Sequence, residues 1–161
     1  MKKLIAIALS AAVLALGLVG CGGQESSSKA YNLNDIVTAV ESANPVANPR
    51  DVDDNFITLD MMLDKNDIEE YAGKVSNDQA DSALIVAVKA VEGKGDAVKS
   101  DMEAYKTSIS TGGLYAEFAD KEAAAKDARI VQQGDYVVMV VANTNGADYS
   151  AIDTALDEAL K

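Results

Sequence analysis

The sequence predicts an α+β domain in which helices pack with an antiparallel sheet of about four strands. The first observation is that four short segments have the composition of strands, at residues 70–76, 83–91, 129–132 and 136–142. The second is that they form two pairs, each joined by a few turn residues, which favours antiparallel hairpins over a doubly wound parallel sheet. The third is that segments with helical periodicity flank the pairs, which gives the order α-ββ-α-ββ-α.

The first helix is predicted to begin at Asn34 and to run to about Ala43. The Asn34 side chain can accept a hydrogen bond from the first free amides of a helix. Ile36 and Val40 recur at helical spacing and give this helix an apolar face. Because Pro45 cannot continue the helix, an irregular segment is expected to follow.

The first strand pair follows a single helical turn predicted at residues 67–70. Residues 70–76 alternate in polarity, and residues 77–81 are turn formers. Residues 83–91 carry aliphatic side chains on both faces. These three segments together predict a β-hairpin.

A central helix is predicted to begin at Asp96 and to end at about Ser110. Val98 and Met102 are four residues apart, which is typical of a buried stripe along one helix face. Two glycines then interrupt the helix, and residues 114–126 are predicted to form another one.

The second strand pair is predicted at residues 129–132 and 136–142, with a turn at residues 133–135. Its second strand is apolar on both faces. Either helices lie on both sides of the sheet, or part of the second face meets a partner. Asp148 is predicted to cap the C-terminal helix.

The N-terminus has the pattern of an export signal, with Lys2 and Lys3 before the uncharged residues 4–19. The next residues, Gly20 and Cys21, complete a run that resembles the lipobox of bacterial lipoproteins, in which a small residue precedes an obligatory cysteine. The resemblance implies cleavage between Gly20 and Cys21 and a covalent diacylglycerol on the Cys21 sulfur. The alternative is an uncleaved membrane helix with a chance cysteine.

The predicted organisation is a signal peptide at residues 1–20, a flexible Gly/Ser-rich tether at 21–31 and a single domain at 32–161. With 26 acidic and 14 basic residues, the chain has a formal charge of −12. Anionic lipid surfaces repel such a chain, so the lipid on Cys21 would have to hold it at the membrane. The expected location is the extracytoplasmic side of the cell membrane.

Five features carry a family resemblance: the lipobox ending at Cys21, residues 67–71, residues 82–89, the helix around Tyr105, and residues 128–141. In pattern and order they resemble an uncharacterised family of small bacterial lipoproteins, catalogued as domain of unknown function 4358. The resemblance covers about residues 32–160 and implies one lipid-anchored domain. Because the family has no established activity, it implies no catalytic residue and no cofactor.

The composition excludes several classes of function. The chain has no histidine and one cysteine, which removes Ser-His-Asp triads, Cys-His pairs, histidine-ligated zinc and an intramolecular disulfide. The excess of acidic residues argues against nucleic acid as a partner, because phosphates are neutralised by Lys and Arg.

The candidate metal ligands are Asp51, Asp53 and Asn55, whose alternating oxygens suit calcium. The EF-hand pattern fails, however, because Phe56 and Met62 occupy the positions that require glycine and glutamate. The sequence therefore favours a solvated acidic loop, and we expect no metal and no cofactor besides the diacylglycerol.

Two classes of function remain. The first is a non-catalytic module that binds an envelope protein or a small ligand near the membrane. The second is a small envelope enzyme that uses carboxylates or a Ser/Lys pair. The missing histidine and the absence of a nucleophile motif favour the binding module.

Overall fold

The computed structural model describes residues 29–111 and 118–161. Within these residues the chain forms four α-helices and five β-strands. The helices are α1 (Leu33–Ala43), α2 (Gly95–Ile109), α3 (Ala119–Lys126) and α4 (Tyr149–Ala159). The strands are β1 (Pro49–Asp51), β2 (Ile68–Ser76), β3 (Leu84–Ala90), β4 (Arg129–Gln133) and β5 (Tyr136–Val141). A π-helical turn at Phe56–Asp60 and a 3₁₀ turn at Lys65–Asp67 connect β1 to β2.

The sheet has the strand order β1-β2-β3-β5-β4, and all neighbours are antiparallel. The four predicted strands are β2 to β5, which form the two predicted hairpins. The fold class is confirmed, and β1 is an additional edge strand. It has only three residues and begins at Pro49. Because proline has no N–H to donate to a neighbouring strand, it is found at the edge of a sheet and not in central strands.

Helices cover both faces of the sheet, which decides between the two alternatives for the second strand of the second hairpin. Val86 and Met139 lie in the core on the α2 side, together with Met102. Ile85 and Val138 lie in the core on the side of α1 and α4. Strands β3 and β5 are therefore central and apolar on both faces because each face meets helices.

The first helix begins two residues earlier than the sequence suggests. Asn32, not Asn34, is its N-cap, and the Asn32 Oδ1 accepts hydrogen bonds from the N–H groups of Asn34 (2.9 Å) and Asp35 (3.2 Å). The shift brings Leu33 into the first turn, where it is fully buried. The start of α1 is therefore indicated in the sequence by Asn32 followed directly by the apolar Leu33.

The predicted caps of the other helices have different outcomes. Asp148 caps α4 as predicted, because its carboxylate accepts from the N–H groups of Ser150 (3.0 Å) and Ala151 (3.1 Å). Asp96 does not cap α2 but lies in its first turn and accepts from Nε2 of Gln132 at 2.9 Å. The Asp96 carboxylate therefore contacts strand β4 instead of capping its own helix.

Two predicted helical segments are shorter or shifted in the structure. The turn predicted at residues 67–70 is the 3₁₀ turn at Lys65–Asp67, and β2 already begins at Ile68. The helix predicted at residues 114–126 is described from Ala119 onwards as α3, and residues 114–117 lie outside the described residues.

The predicted signal peptide and most of the predicted tether also lie outside the described residues, so Gly20 and Cys21 have no structural account here. Among the residues that the structure does describe, none of the helices has the length and apolar character needed to cross a membrane.

Candidate functional site

The three candidate metal ligands occupy exposed positions at the end of β1 and just after it. Asp51 ends β1, and Asn55 directly precedes the π-helical turn. The Asp53 Oδ1 accepts from the N–H of Phe56, the first residue of this turn, at 2.8 Å. Over residues 29–111 and 118–161, no three His, Cys, Asp or Glu side chains are grouped so that they could hold a metal ion.

The carboxylate next to these candidates, Asp54, is paired within the protein. It accepts hydrogen bonds from Nζ of Lys65 and from the hydroxyl of Tyr71. The Lys65 and Tyr71 hydrogen bonds lower the pKa of Asp54, and the Asp54 carboxylate raises the pKa of Tyr71 to about 12. This exposed cluster ties the loop to β2, and a Tyr hydroxyl that is held protonated in this way is not a general base at neutral pH.

A different region contains partly buried polar groups that lack a hydrogen-bond partner among the described residues. It is a cavity of about 210 Å³ at the end of the sheet where β2 turns into β3. Its floor is a row of facing residues on three adjacent strands, Val75, Leu84 and Val141. Helix α2 contributes Tyr105 and Ile109 to the walls. We call this region the Asp81 cavity.

The Asp81 side chain lines this cavity and is only 5% exposed. Its Oδ1 accepts from the N–H groups of Ser82 (2.9 Å), Ala83 (3.3 Å) and Thr144 (3.0 Å). Its Oδ2 is buried and has no hydrogen-bond partner among the described residues. Buried polar atoms almost always have a partner, so this oxygen is an exception that calls for a physical explanation.

The turn sequence explains why an aspartate is buried here. Asp78 Oδ1 accepts from the N–H of Ala80 at 2.8 Å, and the Asp81 N–H then donates to the Asp78 main-chain oxygen at 3.1 Å. Thr144, which follows β5, donates its hydroxyl to the Ala80 oxygen at 2.9 Å. Asp81 thus joins the β2–β3 turn to the segment after β5, and one carboxylate oxygen is sufficient for that role.

Two further polar side chains of the cavity have groups without a hydrogen bond among the described residues. Burial raises the pKa of Tyr105 to about 12, so its hydroxyl is protonated at neutral pH and can donate. Its ring packs edge-on against Phe56, with 6.4 Å between ring centroids. Lys121 projects from α3, lines the cavity and is half-buried.

The two serines of the cavity have internal partners. The Ser76 hydroxyl donates to the Ala47 oxygen at 2.7 Å, and the Ser82 hydroxyl donates to the Ala142 oxygen at 2.8 Å. A serine nucleophile needs a base to accept its proton, whereas these hydroxyls are held by main-chain carbonyls. Neither serine hydroxyl therefore has a base as its hydrogen-bond acceptor.

A family model described as domain of unknown function (DUF4358) matches residues 42–142. The chain belongs to this family. The DUF4358 match spans all five strands together with α2 and α3, so it includes every element that builds the Asp81 cavity. No curated protein and no solved structure matches the chain.

The cavity and the N-terminal connection lie at opposite ends of the central strands of the DUF4358 domain. Ala30, which belongs to the predicted tether, lines another cavity with Lys89 and Tyr136. Tyr136 begins β5, whereas Val141 at the Asp81 cavity ends it. At roughly 3.4 Å per residue the two strand ends are about 17 Å apart. We call them the tether end and the cavity end.

Proposed function

We propose that this chain is an extracytoplasmic lipoprotein, anchored through a diacylglycerol on Cys21, whose DUF4358 domain is a non-catalytic binding module at the cell envelope. The observation that carries the proposal is the cavity of about 210 Å³, lined by Asp81, Lys121 and an aliphatic floor, at the end of the sheet away from the tether. A ligand bound there would be presented away from the membrane.

The anchor part of the proposal depends on the N-terminal sequence. Cys21 is the single cysteine of the chain and directly follows the apolar run and Gly20. Two acyl chains bind a membrane far more firmly than one, which binds only marginally. A chain with a formal charge of −12 gains no attraction from anionic lipids, so the lipid would supply the membrane affinity.

The binding part depends on the lining of the Asp81 cavity. Ligand sites are mostly apolar, with a few convergent polar groups that fix orientation. The floor of Val75, Leu84 and Val141 with the polar groups of Asp81 and Lys121 fits that description. The volume of about 210 Å³ lies below the roughly 300–1,000 Å³ of drug-sized sites, so the ligand would be small.

The non-catalytic part depends on which groups meet in the cavity. Glycosidases and related hydrolases use two carboxylates, and Asp81 is the one carboxylate among the described residues that line it. Ser76 and Ser82 donate their hydroxyls to carbonyl oxygens, which opposes a Ser/Lys nucleophile. These observations favour the binding module over the small envelope enzyme.

Membrane anchoring can be tested by cell fractionation of the Cys21→Ser variant. The variant is expected to leave the membrane fraction, and the mass of the wild-type N-terminus is expected to match a diacylglyceryl-cysteine. Ser26→Ala is a control in the tether that should stay at the membrane. Unchanged membrane retention of Cys21→Ser would contradict the anchor.

Ligand binding can be tested by ligand-observed NMR with a fragment library and the lipid-modified chain in nanodiscs. Ala125 lines the cavity from α3, so Ala125→Leu should fill it and abolish the signals of bound fragments. Ala123→Leu, on an exposed position of the same helix, is the matched control. If Ala125→Leu retains every fragment signal, the cavity is not the binding site, and a melting curve verifies that each variant is folded.

A further inference from the structure

The two most exposed large apolar side chains of the described residues lie close together in the sequence. Leu59 is 67% exposed and Met62 is 79% exposed, whereas the apolar residues on either side of Met62, Met61 and Leu63, are buried. An exposed apolar side chain adds little to the stability of a domain, and exposed apolar side chains that gather around a concave surface mark contact sites for other molecules. Met62 lies beside such a surface.

The cavity beside Met62 lies between helix α2 and the segment that follows the π-helical turn. Its volume is about 140 Å³, and its apolar lining includes Met62, Ala104 and Tyr105. A volume of about 150 Å³ is sufficient for a benzene-sized group, so this cavity can receive one large apolar side chain. We call the cavity and the residues that line it the Met62 groove.

The backbone at Met62 has a conformation that does not suit a methionine. Its φ is +56°, in the left-handed region, and the one other described residue besides glycine with a positive φ is Asn48. Asparagine adopts this conformation readily because its short polar side chain can hydrogen-bond locally, whereas methionine has no such advantage. The fold alone would therefore be served better by an asparagine at position 62. Contact with a partner gives the exposed methionine a physical reason.

The charged side chains of the Met62 groove are negative. Among the described residues, the two charged ones that line it are Asp60 and Asp101. Neither carboxylate makes a hydrogen bond or an ion pair with that part of the chain. Residues 51–64 contain five aspartates and no lysine or arginine, so the segment that forms one wall of the groove is itself acidic.

The basic residues at the two ends of this acidic segment have other contacts. Lys65 pairs with Asp54, and the Arg50 guanidinium lies over the Phe56 ring at 5.1 Å from the ring centroid. The two aspartates of the groove are thus left without a cation among the described residues. An apolar pocket with unpaired carboxylates at its sides is complementary to an apolar side chain with positive charges next to it.

We propose that the Met62 groove binds a segment of another protein in which a large apolar side chain is flanked by Lys or Arg. The apolar side chain enters the groove against Met62 and Tyr105, and the basic side chains pair with Asp60 and Asp101. Charge decides against other occupants, because a second copy of this chain brings its own formal charge of −12 and anionic lipids are repelled in the same way. This surface is separate from the Asp81 cavity and adds a protein partner to the function proposed for that cavity.

The test is a selection of random short peptides, displayed on phage, against the full chain in phosphatidylcholine nanodiscs, with empty nanodiscs as the background. The selected peptides are expected to carry a large apolar residue with neighbouring Lys or Arg. Synthetic copies of these peptides should bind more weakly at high salt, because salt screens the attraction between exposed charges. A selection that yields no peptide, or only peptides without basic residues, would overturn the proposal.

The Met62→Asn variant separates a role in binding from a role in the fold. It removes the apolar contact, so affinity for the selected peptides should fall roughly 10-fold. Its urea midpoint should stay the same or rise, because asparagine suits the left-handed backbone better than methionine does. Val91→Asn is the matched control, since Val91 is also exposed but does not line the groove, and it should keep full affinity. Unchanged affinity or a lowered urea midpoint in Met62→Asn would overturn the proposal.

The role of the charges is tested by combining Asp60→Asn with Asp101→Asn. This double variant should bind the peptides roughly 3- to 10-fold more weakly and with a smaller salt dependence, because two ion pairs with the peptide are lost. Asp35→Asn combined with Asp157→Asn removes the same net charge from exposed positions on α1 and α4 and is the control. Equal losses of affinity in the two double variants would show that only the overall charge attracts the peptides, which would contradict a specific groove.

Because Tyr105 lines both the Met62 groove and the Asp81 cavity, the two sites have to be distinguished. Ala125→Leu, which fills the Asp81 cavity, should leave the peptide affinity unchanged, and Met62→Asn should leave the fragment signals unchanged. Loss of peptide binding in Ala125→Leu would overturn the proposal of a separate groove. If fragments bind in the Asp81 cavity and no peptide binds, the groove proposal fails and the function proposed for the cavity stands; the reverse result rejects the cavity and supports the groove.

Discussion

The charged side chains at the tether end of the central strands form exposed ion pairs, whereas Asp81 at the cavity end is buried. At the tether end, Lys89 pairs with Glu69 at 2.6 Å, and Lys94 pairs with Asp67 at 2.8 Å. At the cavity end, Asp81 is almost fully buried and leaves one oxygen without a partner. Both ends are built from the same strands, so the difference comes from the turns and helices that surround them.

The physical consequence follows from the solvent. An exposed ion pair gains little, because water screens its attraction and would solvate each charge in any case. A buried carboxylate has lost that solvation, so each hydrogen bond that it makes or lacks counts for more. We therefore expect the cavity end to be sensitive to changes of a single polar atom and the tether end to be tolerant.

The largest expected effect is that of Asp81→Ala. The change leaves the N–H groups of Ser82, Ala83 and Thr144 without their common acceptor, so the free energy of unfolding should fall by about 2–4 kcal/mol. Urea titration measures the fall. Asp78→Ala, in the same turn but exposed, should cost about 1 kcal/mol or less. Equal losses in the two variants would remove the special status of the buried carboxylate.

The next largest effect concerns two tyrosines whose pKa values are raised to about 12 for different reasons. Tyr71 owes its raised pKa mainly to its hydrogen bond with Asp54, and Tyr105 owes it mainly to burial. Asp54→Ala should therefore lower the pKa of Tyr71 towards 10 and leave that of Tyr105 near 12. NMR titration of the two ring carbons bonded to oxygen distinguishes them.

The raised pKa values of Tyr71 and Tyr105 also predict how the stability of the fold changes at high pH. Because folding keeps both phenols protonated beyond the ordinary pKa of 10.0, the unfolded chain loses these protons first, and stability falls as pH rises from 10 towards 12. In Asp54→Ala the part due to Tyr71 should diminish. If the pKa values of Tyr71 and Tyr105 moved together in this variant, the two causes would not be independent.

A smaller effect is expected for an exposed pair near the cavity end. The Arg129 Nε lies 2.8 Å from the Asp153 Oδ1, and this hydrogen bond lowers the pKa of Asp153 from 3.8. A carboxylate with a lowered pKa stabilises the fold above its unfolded pKa, and this contribution is lost as pH falls below 3.8. Asp153→Asn should therefore be slightly less stable than the wild type at pH 6, with a difference that shrinks towards pH 3.

The control for that pair comes from its other member. Arg129→Met removes the same interaction and also the hydrogen bond to the Asp127 main-chain oxygen, so only the part of its stability difference that is due to Asp153 should shrink over the same range of pH. A difference in Asp153→Asn that persists unchanged at pH 3 would show that Asp153 acts through something other than its charge. Burial would then not be the variable that decides how much a charged side chain contributes to stability.

Much of the fold could be predicted because its main elements follow local rules. The two hairpins and the cap at Asp148 were correct, since alternation, turn residues and a capping side chain act over a few residues. The edge strand β1 was missed because three residues with an exposed pattern carry no periodic signal. The predicted cap at Asp96 was wrong because Gln132, distant in the sequence, uses that carboxylate instead.

The cavity could not be predicted, because it depends on contacts that no local pattern contains. Asp81 is one of 26 acidic residues, and the sequence predicts only that it belongs to a turn. Its burial is produced by Thr144, 63 residues further along the chain. Tyr105 and Lys121 belong to two different predicted helices, and no local pattern indicates that both line the same cavity.

The smallest expected effect is that of Lys89→Met at the tether end. Methionine keeps an unbranched apolar stem but removes the ammonium that pairs with Glu69, and both partners are substantially exposed. We expect a free energy of unfolding that is unchanged within error between pH 5 and 8, at low and at high salt. The hydrogen bond to Glu69 raises the pKa of Lys89, so any contribution is complete below pH 10.5 and is lost only as pH rises above it. If Lys89→Met instead destabilised the fold as much as Asp81→Ala, exposed and buried charges would count equally, and the burial of Asp81 would not explain the cost of removing its carboxylate.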